Sequence, residues 1–219
     1  KTVVVYLGTD KKVFEGYADK KLEELDNNDT IASVLNITLE KEVAVASNDC
    51  AELLENGIVR IAYCGTLGHS YDISCVINAI KLLDKSHRDR IEFIVMGDGP
   101  RKHEFMSDAK GLPIIFTGKL SYPDMVWMLR RCDISVNPIT KGAAQSIINK
   151  HMDYAMAGLP VVNTQECIEY RNLLDKYRAG INCECENAEE VARALKSLID
   201  DRKLRDLMGK NSLKMGAEC

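Results

Sequence analysis

From residue 58 onward, short runs of β-branched and other apolar residues alternate with longer stretches whose apolar positions recur at helical period. A few residues rich in Gly, Asp, Asn and Pro separate one run from the next. The runs are Val59 to Tyr63, Ile91 to Met96, Ile114 to Thr117, Ile134 to Asn137, Pro160 to Asn163 and Gly180 to Cys183. Most are continuously apolar instead of alternating, which is what a strand needs when both of its faces are buried. Parallel neighbours can be joined only by a long crossover, and a helix supplies it. The expected fold is therefore α/β: a Rossmann-like, doubly wound parallel sheet with helices on both faces.

The intervening stretches carry helix punctuation. Ser121 precedes Pro123 and Asp124 ahead of Met125, Leu129 and Cys132, an N-terminal proline followed by an acid that suits the helix dipole. Trp127 in that helix reads as core and not as a stacking platform. A helix from about Ser146 to Ala157 places Ile148, Met152 and Ala155 on one stripe and stops at Gly158-Leu159-Pro160. Two more, about Ala188 to Ile199 and Leu204 to Met215, close the chain. Before residue 58 only Val3 to Tyr6 reads as a strand, and the polar stretch to Glu55 is weakly periodic. The division expected is a lead-in and surface segment over 1–57 and one Rossmann-like domain over 58–219.

Composition excludes several classes of function. With 29 Lys and Arg against 33 Asp and Glu the net charge is −4, so no bulk positive field gathers nucleic acid or anionic lipid. The basic residues near the C-terminus alternate with acids, which makes a solvated face. No apolar run approaches the roughly 18–20 residues that span a bilayer, and a soluble protein is expected. Of the eight cysteines, Cys64, Cys75 and Cys132 sit in core contexts, which points to reduced thiols in the cytoplasm. Cys183 and Cys185 lack a second ligand pair at zinc spacing, so no metal site is expected.

In an open α/β sheet, ligands bind beyond the carboxyl ends of the strands. Two glycine loops lie there: Gly65-Thr66-Leu67-Gly68-His69-Ser70 and Gly97-Asp98-Gly99-Pro100. Lys102 stands where a dinucleotide fingerprint would have its third glycine, and no Gly-x-x-x-x-Gly-Lys-Ser/Thr loop occurs, so NAD and P-loop readings drop. Each loop alone reads more readily as a tight βα turn. The third loop runs from Asn137 into the helix expected at Ser146. On that helix Gln145, Asn149 and Asp153 share one ridge, and Ser146 and Lys150 the next. Either the ridge faces a ligand, with a phosphate on Ser146 and Lys150 and ribose hydroxyls on Asp153, or it is a solvated face with an ordinary Lys150–Asp153 pair. His69 is either a donor to phosphate or sugar or simply exposed, and His151 has a weaker claim. His87, among Lys85, Arg88, Asp89 and Arg90, reads as a solvated connection.

Read in order, Gly8-Thr9-Asp10 with Phe14, Gly65-Thr66-Leu67-Gly68 with Ser70-Tyr71-Asp72, and Gly97-Asp98-Gly99-Pro100 are followed by Phe116-Thr117-Gly118-Lys119-Leu120 and Asp153 through Val162. This order resembles the C-terminal half of retaining GT-B-fold glycosyltransferases of the group 1 type, which use nucleotide-sugar donors. That family carries two glutamates at the spacing of Gln145 and Asp153. The set Ser146, Asn149, Lys150, Asp153 and Tyr154 before Gly158 is similar to a subgroup many of whose members build bacterial surface polysaccharide.

The resemblance implies donor binding by Gly65, Thr66, Gly68, Gly97 and Asp98, by Lys119 and Leu120 near the base, and by Ser146, Ile147, Asn149 and Asp153. It places Gln145, Lys150 and His69 at the reacting centre. Thr66 and Asp72 stand where the family often has an Arg and a Lys to clamp the diphosphate, and Lys150 is expected to supply that charge, with His69 and two helix N-termini adding donors. No metal or resident cofactor is implied; the substrate is a nucleotide-diphosphate sugar, UDP or GDP being the expected carrier. The implied activity is transfer of a hexosyl unit, with retention, to a glycan or lipid-linked acceptor. An N-terminal acceptor domain is missing from these residues, so the expectation is a cytoplasmic donor-binding piece, inactive alone, with any membrane contact on the absent half. Two alternatives stay open: half of a UDP-sugar 2-epimerase-like enzyme, or a non-catalytic doubly wound binding module.

Overall fold

The computed structural model describes residues 12–17, 57–143 and 147–219. The strand expected at Val3 to Tyr6 lies outside them, as do Gln145 and Ser146. A short helix, α1, covers 12–17, and its Phe14 is buried against Val126 and Met156.

All six expected strands form: β1 (Val59–Cys64), β2 (Ile91–Met96), β3 (Ile114–Gly118), β4 (Ile134–Asn137), β5 (Val161–Asn163) and β6 (Gly180–Asn182). They make one parallel sheet in the order β3-β2-β1-β4-β5-β6. Strand β1 shows why its run is unbroken in apolar residues. Its Ile61 and Tyr63 enter one core cluster with Ile77, Phe93 and Leu195, while Ala62 and Cys64 enter another with Trp127, Tyr154 and Leu174. The first face is covered by α2 (Ile73–Leu82), α4 (Lys102–Asp108) and α8 (Ala188–Asp200), and the second by α5 (Tyr122–Leu129), α6 (Lys150–Met156), α7 (Ile168–Tyr177) and α9 (Arg202–Glu218). The short α3 (Lys85–Arg88) leads into β2. The doubly wound α/β architecture is thus as expected, and Trp127 is core, with the Arg131 guanidinium 3.7 Å from its ring centre.

Local signals act as read at several ends. The Ser121 side chain accepts from the Asp124 N–H, with Pro123 in the first turn of α5. Gly158 ends α6 at φ 71°, where a side chain would also press on Leu213 of α9. One end differs. The helix expected from Ser146 begins at Lys150, because the bonds from His151 N–H to Ile148 and from Met152 N–H to Asn149 span only three residues, while Ile147 packs into the core. Among the described residues, Asn149 is exposed on the turn while Asp153 is buried in α6, so these two do not share one exposed face; Gln145 lies outside the described residues.

His87 is a second correction. It is 7% exposed; its Nδ1 lies 2.7 Å from Asp84, and its Nε2 lies 3.1 Å from both carboxylate oxygens of Asp200. The basic neighbours in sequence hid two acids, one of them 113 residues away. Those bonds, Asp84 first and Asp200 next, raise the His87 pKa above the ordinary 6.5.

The carboxyl ends of β1 and β4 diverge after the pairing of Ala62 with Ser135. One buried hydroxyl spans the gap. Cys64 N–H donates to the Tyr154 Oη at 3.0 Å, and that hydroxyl donates to the Val136 carbonyl at 3.2 Å. Two predictions follow from these contacts. Tyr154→Phe strands a buried N–H and a buried carbonyl and should cost about 1–3 kcal/mol, read as a lower urea midpoint. For His87 the folded pKa is the higher one, so its contribution is present below about pH 6.5 and is lost as pH rises through the raised value. Urea midpoints across pH 6–8.5 should show this loss in the parent chain and a flatter profile in His87→Gln.

Candidate functional site

The order β3-β2-β1-β4-β5-β6 sends successive connections to opposite sides on either side of the β1–β4 pair, and it is there that such sheets open a crevice. Three loops meet at its rim. Gly65 N–H donates to Met96, Leu67 N–H to Asp98, and Gly97 N–H to Gly118, so the loops after β1, β2 and β3 continue the parallel pairing past the strand ends. A Cβ on Gly97 would sit 1.8 Å from the Gly65 carbonyl oxygen, and one on Gly99 would sit 2.4 Å from that of Leu67. These two glycines are needed for loop-on-loop packing. The committed N–H groups of Gly65 and Leu67 leave this loop fewer donors for a ligand than its composition suggests.

Behind the loops is a cleft of about 360 Å³. Its walls are Gly65, Thr66, Gly97, Asp98, Lys119 and Leu120, which the sequence nominated, joined by Cys64, Met96 and Met125, which it did not. The Asp98 carboxylate accepts from the Gly99 N–H and lies 3.4 Å from the Lys102 ammonium, and these contacts hold its pKa down. The Cys64 thiol is pushed up to about 11 by burial, so it stays protonated.

Lys150, which does not itself line the cleft, is the unusual neighbour of its wall. Its side chain is buried, its Nζ has no hydrogen-bond partner, and it lies 4.5 Å from the Tyr63 ring centre and 4.1 Å from that of Tyr71. A Cβ on Gly65 would be 3.6 Å from that Nζ, so the buried ammonium lies beside this glycine of the cleft wall. Burial lowers its pKa to about 7, and nearby Cys64 opposes the shift. The ordinary exposed pair with Asp153 is not what forms. Asp153 is buried and accepts from the Tyr122 hydroxyl at 2.8 Å. Sequence spacing put Lys150 and Asp153 on one exposed helical face, whereas packing of α6 under the sheet buries both.

Other nominated residues lie elsewhere. Gly68 is not part of the cleft wall, and His69 is exposed, its carbonyl accepting from the Thr140 hydroxyl at 2.8 Å. Asn149 is exposed on the turn before α6, and Ile147 faces the core. Helix termini offer less than expected. Asp72 caps α2 by accepting from Cys75 N–H, and the α6 start is a tight turn.

His151 is buried beside Lys150. Its ring stacks on Tyr170 at 3.6 Å, and its Nε2 lies 2.7 Å from the Gln165 Oε1. The same Oε1 accepts from Asn137, so His151 carries its proton on Nε2. Burial, with the neighbouring Lys150 charge adding, holds its pKa at about 3 despite the Gln165 bond, and it stays neutral. Asn163 extends this network to Asn182. Polar residues at the ends of β4 and β5 were its only sequence signal.

A larger groove of about 480 Å³ lies past β5 and β6, between Lys141, Glu166, Arg171 and Glu184. Its Glu166 accepts from Gly142 N–H, and Arg171 binds the Gln165 and Cys183 carbonyls. Because its charges are engaged or solvated, the smaller cleft with the unpartnered ammonium is the better site. Among the described residues no three His, Cys, Asp or Glu side chains converge as metal ligands, no helix is long and apolar enough to cross a membrane, and the seven cysteines are free.

Comparison with known proteins agrees with this geometry. Anabaena HepE, solved with UDP and glucose, superposes with a TM-score of 0.69 at 14% identity, covering 99% of this chain and 52% of its own. The C-terminal domain of LpcC, a glycosyl transferase group 1 family protein of Francisella tularensis, gives 0.64 at 21% identity, covering 79% of this chain and 93% of its own. The catalytic domain of the Helicobacter pylori cholesterol-α-glucosyltransferase gives 0.63 at 18%, covering 73% and 98%. At these identities the likeness is one of fold, and the chain spans about half the length of HepE. No curated protein matches the sequence. A family profile matches residues 58–201, the stretch that holds the sheet and the cleft, and by that match the chain belongs to the Glycosyl transferases group 1 family.

Proposed function

We propose that residues 58–219 form the nucleotide-sugar domain of a retaining GT-B glycosyltransferase, with 1–57 leading in from the interdomain region. The whole enzyme transfers a hexosyl unit from a nucleotide-diphosphate sugar to a glycan or lipid-linked acceptor held by its other half. We place it in the cytoplasm, in the assembly of a bacterial surface polysaccharide, with membrane contact left to the acceptor half. HepE, similar in fold, was solved with UDP-glucose.

One observation carries the reading: a buried ammonium without a hydrogen-bond partner beside a glycine at the cleft wall. An unpaired buried cation costs free energy that the fold alone does not recover, and an incoming anion recovers it. In sugar transfer, negative charge gathers on the leaving diphosphate as the glycosidic bond to the donor breaks, and a fixed cation in a dry cleft stabilises that charge. Lys150 takes this role in place of the basic pair absent at Thr66 and Asp72. Gly65, Thr66 and Gly97 let the diphosphate approach the backbone, while Lys119 and Leu120 border the base. Asp153 reaches the ribose once Tyr122 releases it. By the family resemblance we assign Gln145 and His69 to the reacting centre and Ser146 and Asn149 to donor binding.

The first test is a thermal-shift panel with UDP, GDP, ADP, CMP and their sugar conjugates, since a ligand bound only by the folded state raises the melting temperature. A shift with one base supports the donor site and names the carrier. Lys150→Ala should weaken binding of that nucleoside diphosphate at least about tenfold in titration calorimetry, about 1.4 kcal/mol; unchanged affinity removes Lys150 from the diphosphate site. Because burial lowers the Lys150 pKa to about 7, an anion that raises it should cause proton uptake on binding at pH 8, absent in Lys150→Ala. Product analysis of the full-length protein tests transfer itself: an epimerised free UDP-sugar without glycosylated acceptor would overturn it.

A further inference from the structure

A buried lysine ordinarily pairs with a carboxylate, and Lys150 does not. Its Nζ lies over two rings instead, 4.1 Å from the Tyr71 centre and 4.5 Å from that of Tyr63. We propose that Tyr71 and Tyr63 hold the Lys150 ammonium between their ring faces in place of a carboxylate, leaving its N–H donors free for a phosphoryl oxygen, and that Tyr71 is thereby a positioning residue of the donor site. The inference rests on the donor-site reading above and deepens it.

The physical difference between the two kinds of holder matters. A carboxylate would take N–H donors and cancel the positive charge, so an incoming diphosphate would have to compete with it. A ring face attracts the cation through its quadrupole and cancels no charge. The ammonium thus stays oriented and available. Both rings are themselves fixed. Tyr63 is fully buried, donates from its hydroxyl to the Thr66 carbonyl at 2.8 Å, and meets Tyr71 edge to face at 6.0 Å. Tyr71 N–H donates to the Gly68 carbonyl, and Tyr71 bridges antiparallel to Ile139 in the loop after β4. It therefore ties the first glycine loop to the β4 loop beside the ammonium. Asp72, the acid next in sequence, is turned to cap α2 through the Cys75 N–H. Nothing acidic on that loop replaces the rings.

The test uses this chain, inorganic pyrophosphate as the probe and titration calorimetry, so that base recognition plays no part. The variants are Tyr71→Phe, Tyr71→Leu, Lys150→Met and the Tyr71→Leu/Lys150→Met double. Tyr71→Leu should weaken pyrophosphate binding by about tenfold, and Tyr71→Phe, which keeps the ring, should stay within about twofold of the parent. In the Lys150→Met background Tyr71→Leu should have no further effect, since its role runs through the ammonium. A cooperative melt confirms each fold, and Tyr71→Met replaces Leu if that variant fails to melt cooperatively. Parent-like affinity in Tyr71→Leu, equal loss in Tyr71→Phe, or an additional loss in the double variant each overturns the ring-holding role while the donor-site reading stands. If the parent binds neither pyrophosphate nor any nucleoside diphosphate, the donor-site reading falls and this inference falls with it.

Discussion

The gap between β1 and β4 is the constraint on which the rest of the molecule depends. Adjacent parallel strands there send their chains away in opposite directions, which opens a crevice that hydrogen bonds between the strands can no longer close. A single phenol at its floor, Tyr154, satisfies one orphaned donor from β1 and one orphaned acceptor from β4. That allows the crevice to remain open without leaving these two backbone groups unpaired. The same helix that delivers Tyr154 delivers Lys150 one turn earlier, so the structural pin and the free cation are positioned by one element.

On the other side of the crevice, backbone stacks on backbone. The loops after β1, β2 and β3 pack so closely that Gly97 and Gly99 have no space for any side chain. The glycines serve first to let the loops touch, and a narrow cleft beside Gly65 results. Its electrostatics are sparse. Asp98 is occupied by its own loop and Lys102, His151 is held neutral, and Cys64 stays a thiol. Lys150 is left as a buried charge with no hydrogen-bond partner among the described residues.

Sequence legibility divides along the same line. The strands were visible because burial on both faces forces a continuous apolar run, and that pattern is local. The cap at Ser121 and the stop at Gly158 were visible for the same reason, since each acts within a turn of its own position. The start of α6 was misplaced because polar residues at four-residue spacing imitate a helical ridge, and nothing local shows that Ile147 turns into the core. His87 was misjudged because its partner Asp200 lies on another helix far along the chain.

For the site, glycine loops after the strand ends and the family resemblance together nominated six residues that line the cleft, because ligand loops follow strand ends in this architecture. Spacing also singled out Lys150 but gave it a solvated setting. Whether a lysine is exposed or buried, paired with an acid or held against aromatic rings, depends on what other segments bring to it, and Tyr63 and Tyr71 come from the opposite side of the crevice. The sequence by itself determined the parallel sheet and the loops that border the cleft, since these follow from periodicity and turn chemistry along the chain, and the order of its motifs resembled the family that the profile match shows. Only the tertiary structure decided which of the site's charges is unanswered, because desolvation and pairing are properties of residues that meet across the fold.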